Sequence, residues 1–213
     1  MDIAIIGAGN VGRALTSSLT RAGHHVTVSS AKGDSARATA DQFGATAAGS
    51  NGAAVEGADV VILAVPYAAI DTVLAEVGQA VRGKVLVDAS NPIKPDYSGL
   101  ATNGTSGAEA VQDSAPQARV VKAFNTVLAS RQADPRVAGG LRTDGFVAAD
   151  DDDAKRTVLG LLEDIGFNPV DAGGLSAARY LEGMAWLNIS MQMAHGWSWQ
   201  AGWKLVGPDG DAS

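Results

Sequence analysis

The sequence predicts an α/β protein, a doubly wound and mainly parallel sheet with a small helical part at its C-terminus. Three observations lead there. A short apolar run ends in the glycine-rich turn Gly7-Ala8-Gly9-Asn10-Val11-Gly12 and passes directly into a helical pattern. Apolar strands and helices then alternate along most of the chain, the order expected of successive βαβ units. From Leu175 the pattern turns wholly helical, and all four tryptophans fall between Trp186 and Trp203. The expected division is therefore 1–173 for the sheet domain and 174–213 for the helical segment, ending in the polar tail Pro208 to Ser213.

Taken in order, Ile3 to Ile6 reads as the first strand, and Ala14, Leu15, Ser18, Leu19 and Ala22 recur at helical spacing until Gly23. Val26 to Ser29 is the second strand, and a helix from about Ser35 to Phe43 closes the first βαβ unit. Asp59 to Val65 is the most continuous apolar run, as suits a parallel strand covered on both faces, and Pro66 ends it. A helix over Ala69 to Val81 leads to a strand at Lys84 to Asp88. The Pro-, Gly- and Ser-rich loop Asn91 to Gly107 follows, long enough to suggest a function of its own. Arg119 to Ala123 and Gly145 to Ala149 read as further strands. The acidic run Asp150 to Asp153, before the helix Lys155 to Ile165, places carboxylates at the positive end of a helix dipole, a helix start rather than a metal cluster. Near the end, Tyr180, Met184, Leu187 and Met191 share one stripe. With the tryptophans they form either a packing face against the sheet or a second subunit, or the wall of a pocket for a flat cofactor.

Composition narrows the function classes. Hydrophobic residues make up 46% and charged residues 18% of the chain, with no apolar run near the roughly 20 residues of a membrane helix, so a soluble globular protein is expected. The start Met-Asp-Ile-Ala-Ile-Ile-Gly passes straight into a strand pattern without a basic leader, which predicts a cytoplasmic location. The absence of cysteine removes disulfides, thiolate metal sites, iron–sulfur clusters and cysteine nucleophiles together, and three histidines, two of them adjacent, suggest no metal site. The net charge of −7, with no Lys/Arg cluster, argues against nucleic acid as a partner.

The chemistry resides at strand ends. In the fingerprint, Gly7 permits a tight turn, Gly9 lets backbone approach a pyrophosphate, and Gly12 allows close helix–strand packing, with N–H groups left free to face phosphates. After the second strand, NAD-specific folds of this type place a carboxylate on the ribose 2′-hydroxyl; this chain has Val28-Ser29-Ser30-Ala31-Lys32 instead. Two hydroxyls and an ammonium suit a 2′-phosphate, so NADP(H) is the expected cofactor, with Asp34 close by as a carboxylate that a shifted register would bring to the ribose. Ala64-Val65-Pro66-Tyr67 and Asp88-Ala89-Ser90-Asn91-Pro92 end two further strands on the same edge, as nicotinamide neighbours. Lys122-Ala123-Phe124-Asn125-Thr126 adds an amide and a hydroxyl to orient a carboxamide or an acceptor. Lys122 itself is either an ordinary solvated or ion-paired lysine or, with Tyr67, a candidate proton donor. His195 has no carboxylate at a recognisable spacing.

These motifs, together with Val120-Val-Lys-Ala-Phe-Asn-Thr126 and Asn168-Pro-Val-Asp-Ala-Gly-Gly-Leu-Ser176, occur in the order found in one family. Over nearly its whole length the chain resembles the coenzyme F420-dependent NADP oxidoreductases and their dinucleotide-binding relatives. The resemblance implies a Rossmann NADP domain, a C-terminal part that helps form a deazaflavin site, and a homodimer. It places phosphate and ribose contacts on Ala8 to Val11, Ser30, Ala31 and Ser35, and sets Asn91 and Ala129 near the nicotinamide. The chain departs from the family pattern at Ala31 and Ser35, where arginine and lysine are usual, with Lys32 positioned to supply part of that charge. It departs again on the deazaflavin side, at Asn125, Gly183 and Ala185, where histidine, serine and threonine are usual.

Hydride transfer between two flat rings stacked at about 3–3.5 Å requires no catalytic triad, since the cofactors carry the reactivity and the protein aligns them. The expected pocket lies between Pro66, Asn91 and Asn125 and the C-terminal helices around Gly183 to Trp186, with Pro66, Asn125 and Trp186 nearest the transferred hydride. Three functions fit: a deazaflavin (coenzyme F420) or flavin reductase, a reductase of a small imine or carbonyl, and a non-catalytic NADPH-binding module with a tryptophan-rich partner surface.

Overall fold

In a computed structural model that describes residues 1–207, the chain forms one eight-stranded sheet in the order β3-β2-β1-β4-β5-β6-β7-β8. The strands are β1 (Asp2–Ile6), β2 (His25–Ser29), β3 (Thr46–Ala47), β4 (Val60–Leu63), β5 (Val85–Asp88), β6 (Arg119–Lys122), β7 (Asp144–Ala149) and β8 (Asn168–Asp171). Pairing is parallel except between β6 and β7, where Val121 faces Ala149 in antiparallel register. This is the doubly wound Rossmann arrangement expected from the alternation of elements. The polar tail Pro208 to Ser213 lies outside the described residues.

Helices α1 (Asn10–Arg21), α2 (Gly33–Phe43) and α7 (Asp152–Asp164) cover one face; α3 (Asn51–Val55), α4 (Ile70–Val77) and α5 (Gly107–Ser114) cover the other. The two faces read directly off the strand period: Ile3 and Ile5 pack with Leu15 and Leu19, while Ala4 and Ile6 pack with Val61, Leu63 and Ile70. Burial on both sides explains why β4 is apolar throughout. α7 begins as the acidic run suggests, with Asp151 accepting a hydrogen bond from the amide of Ala154 at 2.7 Å and Asp152 and Asp153 in the first turn.

Several elements went unforeseen. β3, α3 and β8 are short, and β8 carries Pro169. α5 is hidden inside a Gly- and Ser-rich stretch, although Ser106 and Glu109 form a capping box there that is legible in the sequence. The short α6 (Ala129–Ala133) follows the turn after β6.

The C-terminal segment is helical as expected from Leu175 to His195, in a 3-10 turn at Leu175–Ala177 followed by one long helix, α8 (Ala178–His195). Gly196 ends α8 in the left-handed conformation, and 196–207 runs on without helix as a strap that returns to β7, where the amide of Asp144 donates to the carbonyl of Trp203 at 3.0 Å. The stripe foreseen on α8 does not pack on the sheet: Tyr180 is 71% and Leu187 49% exposed, whereas Leu181, Glu182, Ala185, Asn188 and Gln192 are buried. Among the described residues no helix is long and apolar enough to cross a membrane.

Candidate functional site

The sheet order reverses between β1 and β4, and the crevice beyond their C-terminal ends is where open α/β sheets bind ligands. There Gly7 adopts φ +116°, and a Cβ on it would fall 2.2 Å from the carbonyl oxygen of Ala64. A Cβ on Gly12 would fall 1.8 Å from the carbonyl oxygen of Gly7, so helix and turn touch where only hydrogen fits. Gly9 is different: no atom lies within 4 Å of the Cβ position, leaving its outer face open at the N-terminus of α1. A closed turn with one open glycine fits a pyrophosphate approached by backbone amides. Ala8, Asn10 and Val11 surround it, partly or fully exposed, with Ala64 and Val65 half-buried beside them.

At the end of β2 the three candidate donors separate. Ser29 is 1% exposed, and its hydroxyl donates to Oδ1 of Asn51 at 2.7 Å beneath the sheet edge, which removes it from the phosphate side. Ser30, Ala31 and Lys32 lie at the surface, with the Ser30 hydroxyl accepting from the Lys32 amide at 3.3 Å, and Ser35 follows in the first turn of α2. Asp34 is exposed in that same turn. The donors at hand for a 2′-phosphate are therefore Ser30, Lys32 and Ser35.

The ends of β5 and β6 hold two polar groupings of opposite character. One is closed. Lys122, with no exposed surface, donates to Asp88 at 2.8 Å, to Glu182 of α8 at 2.9 Å and to the carbonyl of Ser90 at 2.8 Å. Asp88 and Lys122 are register partners in the parallel pair, and Glu182 also accepts from the amide of Gly107 at the start of α5 at 2.9 Å. Burial alone would lower the ammonium pKa, but the two carboxylates and their hydrogen bonds raise it. Lys122 is thus a buried structural cation and not a proton donor to the cleft. Glu182, which ties α8 to the strand ends, carries no signal in the sequence that would single it out.

The other grouping is open. Asn91 and Asn125 bond reciprocally, Asn91 Nδ2 to the carbonyl of Asn125 at 3.1 Å and Asn125 Nδ2 to Oδ1 of Asn91 at 2.9 Å. Phe124, fully buried at φ +64°, makes the turn that brings this about, pinned by Gln132 Nε2 on its carbonyl at 2.9 Å. Among the described residues Asn125 Oδ1, Ser90 Oγ and Thr126 Oγ1 are buried without a partner. Buried polar atoms are nearly always bonded, so this edge fits a ligand with amide character. Ala123 is fully buried, and Ala129 is half-buried at the start of α6.

Next to this edge lies a cleft of about 540 Å³ lined by Pro66, Tyr67, Asn91, Tyr97, Ile189 and Trp199, among others. Pro66 and Asn91 belong to it as expected from the strand ends. Trp186, Gly183 and Ala185 are not in its lining; α8 contributes Ile189, about one helical turn further on, and the strap contributes Trp199. Tyr67 packs on Gly107 and is held protonated by burial first and then by Glu182 and Asp71, which raise its pKa.

Fold and site together define a dinucleotide-binding oxidoreductase scaffold. The model of the family "NADP oxidoreductase coenzyme F420-dependent" matches residues 2–92. The chain is 33% identical to the F420-dependent NADP reductase of Methanothermobacter marburgensis over 91% of this chain and 93% of that one. It is 32% identical to the metalloreductase STEAP3 of Rattus norvegicus over 84% of this chain but only 35% of that longer protein. A crystal structure of a candidate F420-dependent NADP reductase from Arthrobacter sp. FB24 superposes with a TM-score of 0.87 at 30% identity, covering 97% of this chain and 100% of that one. The chain belongs to the coenzyme F420-dependent NADP oxidoreductase family, and it is an NADP-dependent oxidoreductase.

Proposed function

We propose that the protein transfers a hydride between NADP(H), held on the Rossmann edge, and a deazaflavin or flavin ring seated in the cleft beside Tyr97 and Trp199. The observation that supports this best is that Pro66 and Asn91 belong to both places: they lie in the turns just after the C-terminal ends of β4 and β5 on the cofactor edge and also line the aromatic cleft. NADPH, when bound, supplies the hydride; the chain's own residues bind, orient and exclude water. Gly9 and the α1 N-terminus take the pyrophosphate, Ser30, Lys32 and Ser35 the 2′-phosphate, and Asn125 Oδ1 accepts from the carboxamide. The apolar lining of the cleft keeps water from the transfer. The same reading includes a homodimer through the exposed apolar stripe of α8, with Tyr180, Leu187 and Met193.

Stopped-flow absorbance tests the proposal, following loss of NADPH with coenzyme F420, FMN and riboflavin offered in turn. Turnover with at least one ring is the expected result. Inactivity with all three, beside reduction of a small cyclic imine, would replace the reading with that of an imine reductase using Tyr67 as proton donor.

A further inference from the structure

Three non-glycine residues among those described have positive φ: Tyr97 at 55°, Phe124 at 64° and Trp199 at 58°. Bulky side chains rarely adopt this conformation, and it persists only where the surroundings over-determine it. Phe124 shapes the cofactor edge. The other two line the cleft, and both are large aromatics left about half exposed, Tyr97 at 53% and Trp199 at 46%.

Each is held from both sides. Tyr97 sits at the tip of a turn in which its amide donates to the carbonyl of Lys94 at 2.9 Å, the amide of Lys94 donates to the carbonyl of Gly99 at 2.9 Å, and Ile93 bridges to Leu100. The amide of Trp199 donates to the buried Oε1 of Gln192 at 3.0 Å, and its carbonyl accepts from the hydroxyl of Ser130 in α6. The next residue, Gln200, offers its carbonyl to Arg131. The strap is fixed again at Asp144 by Lys204 at 2.9 Å. Two exposed aromatic rings, each on a left-handed backbone fixed by its neighbours, thus border one cleft.

The rim carries one further feature. Lys94 lines the cleft, is exposed, and makes no ion pair among the described residues. The neighbouring Asp96 is engaged first by Ser98, whose amide donates to it at 3.0 Å, and the charge of Lys94 acts on it only weakly and without a direct bond. An unpaired ammonium beside aromatic walls complements a flat ring that bears an anionic arm.

We infer that Trp199 stacks on one face of the acceptor's ring and Tyr97 borders its edge, leaving the other face to the nicotinamide, and that Lys94 selects acceptors with an anionic arm over neutral ones. This rests on the reading of the cleft as the acceptor site. FMN and riboflavin share a ring and differ by one phosphate, so they separate the two roles. Ligand-fluorescence titrations in the presence of NADP⁺ would compare the wild type with Trp199→Phe, Trp199→Leu and Lys94→Gln. Trp199→Leu, apolar but not flat, should weaken both ligands about tenfold, the scale of one aromatic stacking contact, while Trp199→Phe keeps most of the affinity. Lys94→Gln should weaken FMN about fivefold and leave riboflavin unchanged. Wild-type affinity for both ligands in Trp199→Leu, or an equal loss of both in Lys94→Gln, would overturn the inference and leave the proposed function standing. Binding of neither ligand, nor of coenzyme F420, by the wild type would overturn both.

Discussion

Replacing Lys122 by methionine removes the one cation from a buried cluster of three charges. Asp88, Lys122 and Glu182 have no exposed side-chain surface. In the native protein the ammonium neutralises one carboxylate, while the second is shared with the amides of Gly107 and Ala108 at the positive end of α5. Methionine fills a similar volume, so little packing is lost, but two carboxylates remain side by side without a counter-ion. Breaking a buried pair from one side costs about 3–5 kcal/mol. At about 2–4 °C per kcal/mol for a domain of this size, the melting temperature should fall by about 6–20 °C at pH 8. The sign with pH follows from the abandoned carboxylates. Two buried like charges repel, so the penalty is full at high pH, where both are ionised, and fades as falling pH neutralises one of them. Calorimetric scans of the variant and wild type at pH 8 and pH 5 should therefore show the gap narrowing at pH 5. A loss under about 3 °C, or the same loss at both pH values, would refute the account, since 3 °C is roughly the effect of a single kcal/mol. In the wild type the raised Lys122 pKa acts the other way: its contribution is complete below the ordinary lysine value of about 10.4 and is lost only as pH rises through the folded value.

Gly7→Ala should unfold or severely destabilise the protein, because its Cβ would strike backbone at 2.2 Å; Gly9→Ala, with open space around it, should melt like the wild type yet bind NADPH at least about tenfold more weakly by calorimetry. Lys32→Ala should narrow the preference for NADPH over NADH by about tenfold, the lower end for one charge-assisted hydrogen bond, whereas Ser29→Ala, whose hydroxyl serves Asn51, should leave that ratio unchanged in titrations with both cofactors. Leu187→Glu on the exposed face of α8 should convert a dimer to a monomer in light scattering at micromolar concentration, and a wild type already monomeric there would remove the dimer from the proposal.

The sheet and its cofactor edge were legible because they rest on local rules. The apolar runs at β1, β4 and β5 follow from burial on both faces, and the glycine turn follows from sterics within a few residues, so both are written in consecutive positions. Composition and period also announced α1, α2 and α7. The capping box at Ser106 and Glu109 was there to be read as well. Short β3 and β8 were not, since β3 has only two residues and β8 is polar at both ends and carries a proline, so neither shows an apolar run.

What the tertiary structure decided were the partnerships between distant residues. Ser29 looked like a phosphate ligand, yet the pleat turns it toward Asn51, 22 positions on. Lys122 looked equally like an acid or a surface lysine until β5 and α8 closed two carboxylates over it. Trp186 seemed the natural wall of the pocket because it lies in the helical pattern, but the turn at Gly196 sends the chain back so that Trp199 takes that place. Sequence period determines which residues share a face of one element. Which faces meet depends on the direction in which each element leaves its turn, and that direction is set by contacts made across the whole sheet.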